Sequence, residues 1–177
     1  MSARLFAGLE LPGEIRAALS SWGARVSARE PAARLVSTDA LHLTLVFLGA
    51  QQERDVESIG RAVVGEARRL DPLAVSGAAW LPPRRPGVLV ADVSEDGDRL
   101  AALQADLADL LSPWHEPEER PFRPHVTVAR VRHGQRIAQR EVPAPPRLTF
   151  DATALVLYRS HPGPQGSRYE AVARIEL

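Results

Sequence analysis

Cysteine, lysine and asparagine are all absent from this 177-residue chain. Without cysteine there are no disulfides, thiolate nucleophiles, iron–sulfur clusters or cysteine-ligated zinc. Without lysine there is no P-loop cation, no Schiff base, no kinase lysine and no nucleotidyl-lysine adduct. Without asparagine there is no acceptor for N-glycosylation. Net charge is also missing, since 22 arginines balance 22 acidic residues. That argues against a strongly basic nucleic-acid coat and leaves room for a local basic cleft. No apolar run approaches the roughly 20 residues of a membrane span, and Glu10 interrupts the only N-terminal stretch resembling a signal peptide. A cytoplasmic, soluble protein that does not engage membranes is therefore expected.

What is present is ordinary globular material, 45% hydrophobic and 25% charged, enough for one domain or two small lobes sharing a core. Three segments carry helical periodicity. Ile15, Leu19, Trp22 and Val26 form one stripe, with Pro12 suited to the first turn. Val56, Ile59, Val63, Ala67 and Leu70 form a second, and Leu100, Leu103, Leu107 and Leu110 or Leu111 a third. Strand-like runs are predicted at Arg4–Leu11, Leu41–Leu48, Leu73–Leu81, Val88–Val93, His125–Val131, Leu148–Tyr158 and Tyr169–Leu177. Pro82–Gly87 reads as a tight turn, and Val142–Pro146 and His161–Gly166 read as loops. Many strands with few helices between them favour an α+β class over a doubly wound sheet.

One internal echo carries the chemistry. His42-Leu-Thr-Leu45 recurs as His125-Val-Thr-Val128, each inside a predicted strand and in opposite halves of the chain. Alternation places His42 and Thr44 on one face and Leu43 and Leu45 on the other. His125 and Thr127 stand in the same relation to Val126 and Val128. The aliphatic pair enters a core, while an imidazole and a hydroxyl, about 6.6 Å apart along the strand, face a wet cleft. Such repetition suggests a duplicated unit whose copies face one another. A metal centre fares poorly, because neither motif has an Asp, Glu or third His at ligand spacing. A serine triad lacks its G-x-S-x-G elbow.

The two tetrapeptides, with Leu41–Gly49 and Pro121-Phe-Arg-Pro-His-Val-Thr-Val-Ala-Arg130 around them, resemble the signature pair of the two-histidine phosphoesterase superfamily. The similarity is greatest to its RNA 2′,3′-cyclic phosphodiesterase, or 2′-5′ RNA ligase, branch. Arg4–Pro12 and Leu155–Tyr169 extend the resemblance over essentially all of residues 1–177. It implies one bilobal α+β domain, two pseudo-symmetric lobes, each an antiparallel sheet with outer helices, around a central cleft. It implies metal-independent hydrolysis of RNA 2′,3′-cyclic phosphate ends to 2′-phosphates, with no cofactor, and reversible ATP-independent 2′-5′ ligation. The expected partners are RNA 3′ ends or nucleoside 2′,3′-cyclic phosphates, and the expected state is a monomer. His42 is the implied acid and His125 the implied base, while Thr44 and Thr127 bind the substrate phosphate.

Arg123 and Arg130 are further phosphate-binding candidates. Parity aims Arg123 at the His125 face, whereas Arg130 has the opposite parity. Phe6 and Phe47 read as core residues with a second reading as base-stacking surfaces. Tyr158, Arg159 and Arg168 flank a loop suited to closing over substrate, and His115, His133 and His161 read as surface histidines. Two alternatives remain open: a small cyclic phosphate of the ADP-ribose type as substrate, and a non-catalytic nucleotide-binding module on the same fold.

Overall fold

The structure is a computed structural model that describes residues 2–116, 118–138, 141–164 and 166–177. Its nine described strands, all paired antiparallel, are β1 (Ser2–Glu10), β2 (Ala33–Leu35), β3 (His42–Gln52), β4 (Leu73–Leu81), β5 (Val88–Glu95), β6 (His125–Val131), β7 (Thr149–Phe150), β8 (Ala154–His161) and β9 (Arg168–Glu176). Three α-helices among the described residues accompany them: α1 (Gly13–Ser27), α2 (Val56–Gly65) and α3 (Arg99–Leu110), with short 3-10 turns at Thr38–Ala40 and Glu53–Asp55. The strand order is β7-β4-β5-β6-β3-β1-β8-β9, with β2 attached to β6.

This order divides at β3 and β6, which meet through the single pair Leu43–Val126. On each side of that seam the chain repeats one plan. A strand (β1 or β5) leads into a helix (α1 or α3), and the chain returns as the antiparallel neighbour that carries His-x-Thr (β3 or β6). The helices cross between the halves. Helix α1 packs on β2 and β6, and α3 packs on β3. Each half therefore supplies part of the other's apolar cover, which joins the two halves of one continuous sheet across a narrow seam.

The helical stripes behave as amphipathic faces should. Ile15, Leu19, Trp22 and Val26 are all buried, as are Leu100, Leu103 and Leu107. Helix α1 starts after Pro12, whose carbonyl accepts from the Ile15 and Arg16 amides at 3.1 Å each; Glu14 and Arg25 suit the two ends of its dipole. At the third stripe Leu111 is buried and Leu110 exposed. The second helix stops at Gly65, so Ala67 and Leu70 lie beyond it, although Leu70 still enters the core.

Three strand expectations need correction. The run 148–158 is two strands, β7 and β8, because residues 151–153 leave the ladder: the Thr153 amide and hydroxyl both turn to the Glu10 carbonyl, at 3.0 and 3.3 Å. The three-residue β2 is too short to show a period, and its pairing with β6 alone creates it. Strand β3 runs on to Gln52, four residues past its apolar stretch. Gly8 fits the backbone crossing beside Thr44, since a Cβ there would stand 2.7 Å from the Leu43 carbonyl oxygen.

Candidate active site

Leu43 and Val126 are fully buried, whereas His42, Thr44, His125 and Thr127 are half-buried, so the alternation inferred from the motifs holds in both strands. Continued through the Leu43–Val126 pair, the antiparallel register sets His42 opposite Thr127 and Thr44 opposite His125. The two imidazoles are then diagonal neighbours, their Cα atoms about 7–8 Å apart by general sheet geometry. In that register each histidine stands opposite the threonine of the other strand.

Both rings are held the same way. His42 Nδ1–H donates to the Ala40 carbonyl at 2.7 Å, and His125 Nδ1–H donates to the Arg123 carbonyl at 2.7 Å. A carbonyl can only accept, so in each neutral ring the hydrogen is on Nδ1 and Nε2 carries the lone pair. Nε2 of His42 accepts from the Thr44 hydroxyl at 3.0 Å. Nε2 of His125 has no protein partner among the described residues.

The surroundings differ. His42 lies among aromatic rings: Phe6 at 4.6 Å between centroids, Tyr169 edge-on at 5.0 Å and Tyr158 at 5.7 Å. Burial in this cage holds its pKa down at about 4, and the charges of Arg130 and His125 push the same way, against the Ala40 hydrogen bond. His42 is therefore neutral at pH 7 in the unliganded protein. His125 stands beside β5, paired with Asp92. Asp92 in turn grips the Arg123 guanidinium through two bonds of 2.9 and 3.0 Å, which holds the Arg123 pKa above its usual value. Arg123 thus gives its carbonyl to His125 and its side chain to Asp92.

A β-bulge alters the parity of both strands. Between the pairs Thr127–Val90 and Ala129–Leu89, β6 carries the extra residue Val128; between Thr44–Gly8 and Val46–Ala7, β3 carries the extra residue Leu45. Two consecutive residues are buried at each bulge, Val128 with Ala129 and Leu45 with Val46. The next residue in each strand, Arg130 or Phe47, consequently emerges on the histidine side. Simple alternation assigned Arg130 to the wrong face and Phe47 to the core. In the structure Arg130 is exposed and its charge acts on His42, while Phe47 is 60% exposed with its ring 6.1 Å from Phe6. Phe6 itself is 4% exposed, as expected of a core ring, yet its face borders the site.

The other candidates lie further out. Tyr158 stacks on Phe6 at 5.0 Å, and Arg159 pairs with Glu53. Arg168 opens β9 and is exposed. His133 is exposed, His161 bonds to Glu170 at 2.7 Å, and the His115 ring lies between the carbonyls of Ala108 and Glu116. Sequence periodicity does not mark Tyr169 or Asp92 as site residues, because each reaches the histidines through strand pairing and neither belongs to a motif. Among the described residues no three His, Asp or Glu side chains gather in metal-binding geometry.

With both histidine strands on one seam, the comparisons with known proteins fall into place. Residues 12–164 match the family model of the 2′-5′ RNA ligase superfamily. The chain belongs to this superfamily. A relative from Escherichia coli K12 named RNA 2′,3′-cyclic phosphodiesterase is 30% identical, over 98% of this chain and 96% of its own. A Geobacillus stearothermophilus protein of the same name is 29% identical over 97% of this chain, which spans 56% of that relative's length. Among solved structures, a Thermus thermophilus protein superposes with TM-score 0.83 at 26% identity, over 98% of this chain and 97% of its own. E. coli LigT complexed with 3′-AMP superposes with TM-score 0.79 at 26% identity, over 100% and 99%. In this superfamily member, then, the mixed antiparallel fold and the paired motifs go together. No described helix is long and apolar enough to cross a membrane.

Proposed function

We propose that this protein hydrolyses 2′,3′-cyclic phosphate ends of RNA by acid–base catalysis between His42 and His125. The observation that supports the reading is the seam pair Leu43–Val126, whose register, continued by one residue each way, makes the two His-x-Thr motifs neighbours on one face of the sheet. The relatives named RNA 2′,3′-cyclic phosphodiesterase at about 30% identity support the substrate class.

Opening the cyclic diester needs one proton removed from water and one delivered to the departing oxygen. An imidazole on each side of phosphorus meets both needs. Water attacks in line as His125 Nε2 takes its proton; the P–O3′ bond breaks and His42 Nε2 protonates the 3′ oxygen, leaving a 2′-phosphate. Thr44, Thr127 and Arg130 stabilise charge on the non-bridging oxygens. Arg123, engaged by Asp92, serves this scheme through its carbonyl, by holding His125 in the productive tautomer. Phe47 offers an exposed face for the terminal base. If an RNA 5′-hydroxyl replaces water, the same steps give a 2′-5′ linkage without ATP.

One observation favours the reverse assignment of the histidines. His42 is neutral at rest, with a lone pair on Nε2, which is the state of a base. For His42 to act as the acid, the substrate's negative charge must first offset the desolvation of the buried ring and, after it, the repulsion from Arg130 and His125. The decisive experiment is product analysis on oligonucleotides and nucleosides ending in 2′,3′-cyclic phosphate, in excess EDTA. A 2′-monophosphate supports the proposal, whereas binding without turnover returns the protein to the class of nucleotide-binding modules. Turnover confined to a cyclic phosphate of the ADP-ribose type moves it to the small-molecule class.

A further inference from the structure

Arg34 and Arg130 are directly paired across β2 and β6. Like charges in that position repel. Neither forms an ion pair with a described carboxylate: the Arg34 guanidinium donates to the Pro164 carbonyl at 3.2 Å, and Arg130 has no hydrogen-bond partner among the described residues. By contrast, Arg61, Arg68, Arg123, Arg159 and Arg174 each hold a carboxylate within 3 Å. The two cations open into a cavity of about 290 Å³, whose wall also includes Ser37, Thr38, Ser167 and Tyr169.

The cavity adjoins the histidine pair through two shared residues. Tyr169 lines it and sets its ring edge against His42; Arg130 lines it and lowers the pKa of His42. Part of its wall comes from Gly166 and Ser167, before β9; Gly166 has φ +117°, a conformation that favours glycine, and a Cβ added there would stand 3.5 Å from the Arg34 guanidinium. The pocket therefore combines two arginines and hydroxyl groups beside the histidine pair, and no described carboxylate lines it.

Resting on the proposed phosphodiesterase reading, we propose that this cavity binds a second phosphate group of the same substrate, one linkage from the cyclic phosphate, with Arg34 as its specificity-determining residue. Arg130 spans both subsites, while Arg34 touches the second phosphate alone. Substrates with an upstream phosphate are thereby preferred over bare nucleoside 2′,3′-cyclic phosphates. The second phosphate belongs either to the RNA backbone or to the pyrophosphate of a small nucleotide-sugar derivative.

The test compares wild type with Arg34→Gln on three substrates: a nucleoside 2′,3′-cyclic phosphate, a dinucleotide with the same end, and an ADP-ribose-type cyclic phosphate. A charge-assisted contact predicts that wild type favours at least one phosphate-bearing substrate about tenfold or more in kcat/KM, through KM. Arg34→Gln removes that advantage and leaves the nucleoside substrate within about twofold. The substrate that loses its advantage identifies the source of the phosphate. Equal loss on all three substrates, or no advantage in wild type, overturns the proposal. Calorimetry with a nucleoside 2′-monophosphate and a nucleoside 2′,5′-bisphosphate reads the same subsite without turnover. Tighter binding of the bisphosphate that disappears in Arg34→Gln sustains the subsite even if no cyclic phosphate is hydrolysed, and identical affinities overturn it even if hydrolysis is fast.

Discussion

Strands β3 and β6 began as equivalent pieces of chemistry and ended in different surroundings. Each presents His and Thr to the seam, each bulges after the threonine, and each holds its imidazole Nδ1–H on a nearby carbonyl. On β3 the ring is caged by Phe6, Tyr158 and Tyr169, and the residue released by the bulge is Phe47. On β6 the ring is flanked by the Asp92–Arg123 pair, and the released residue is Arg130. One half thus forms an aromatic wall suited to a base, and the other a cationic wall suited to phosphate. On the proposed reading, these unlike walls would let a symmetric pair of histidines take an asymmetric nucleotide in one orientation.

The largest expected effect tests what the halves share. His42→Ala and His125→Ala should each lower kcat/KM by about 10²–10⁴-fold. A ribonucleotide ester whose leaving group needs no protonation separates their roles, because it restores turnover only to the variant that lost the acid. Rescue of His42→Ala agrees with the assignment above, and rescue of His125→Ala reverses it. Thr127→Val should cost about 10²-fold in kcat, the usual scale of a lost oxyanion donor, with KM little changed. Near-normal turnover in that variant would show the second hydroxyl to be structural.

The next prediction probes the aromatic cage. The folded pKa of His42, about 4, lies below the ordinary histidine value of 6.5 that approximates the unfolded chain. The unfolded state thus binds the extra proton first. Neutral His42 stabilises the fold above about pH 6.5, and this contribution is lost as pH falls toward 4, by up to about 3 kcal/mol. Denaturant midpoints in His42→Phe should therefore fall less between those pH values than in wild type. Parallel curves would mean that the cage does not hold His42 neutral. The smallest effect expected is at the walls. Phe47→Ala should raise KM on nucleotide substrates by an amount equivalent to about 1–3 kcal/mol and leave kcat unchanged. Loss in kcat instead would place Phe47 against the reacting groups and away from the base.

How far the residues alone carried this picture depended on distance along the chain. The helical stripes, the His-x-Thr faces and most of the strands follow from local periodicity, because side chains must alternate in a strand and repeat every 3.6 residues in a helix. β2 escaped notice because three residues carry no period. Arg130 and Phe47 were misplaced because alternation presumes an unbroken ladder, whereas Val128 and Leu45 each add an unpaired residue. Parity aims Arg123 at the His125 face as a phosphate binder, but it lies before β6, and its guanidinium engages Asp92, 31 residues away, a partner that local order does not reveal.

Sequence by itself therefore determined the chemical groups available, two imidazoles and two hydroxyls on strand faces opposite the core, since covalent order and backbone geometry suffice for that. Tertiary structure decided which groups meet: the register at Leu43 and Val126, the bulges that turn Phe47 and Arg130 outward, the cage that keeps His42 neutral, and the pairing of Arg34 with Arg130. These depend on hydrogen-bond pairing and desolvation between segments far apart in the chain, and local sequence order does not encode either one.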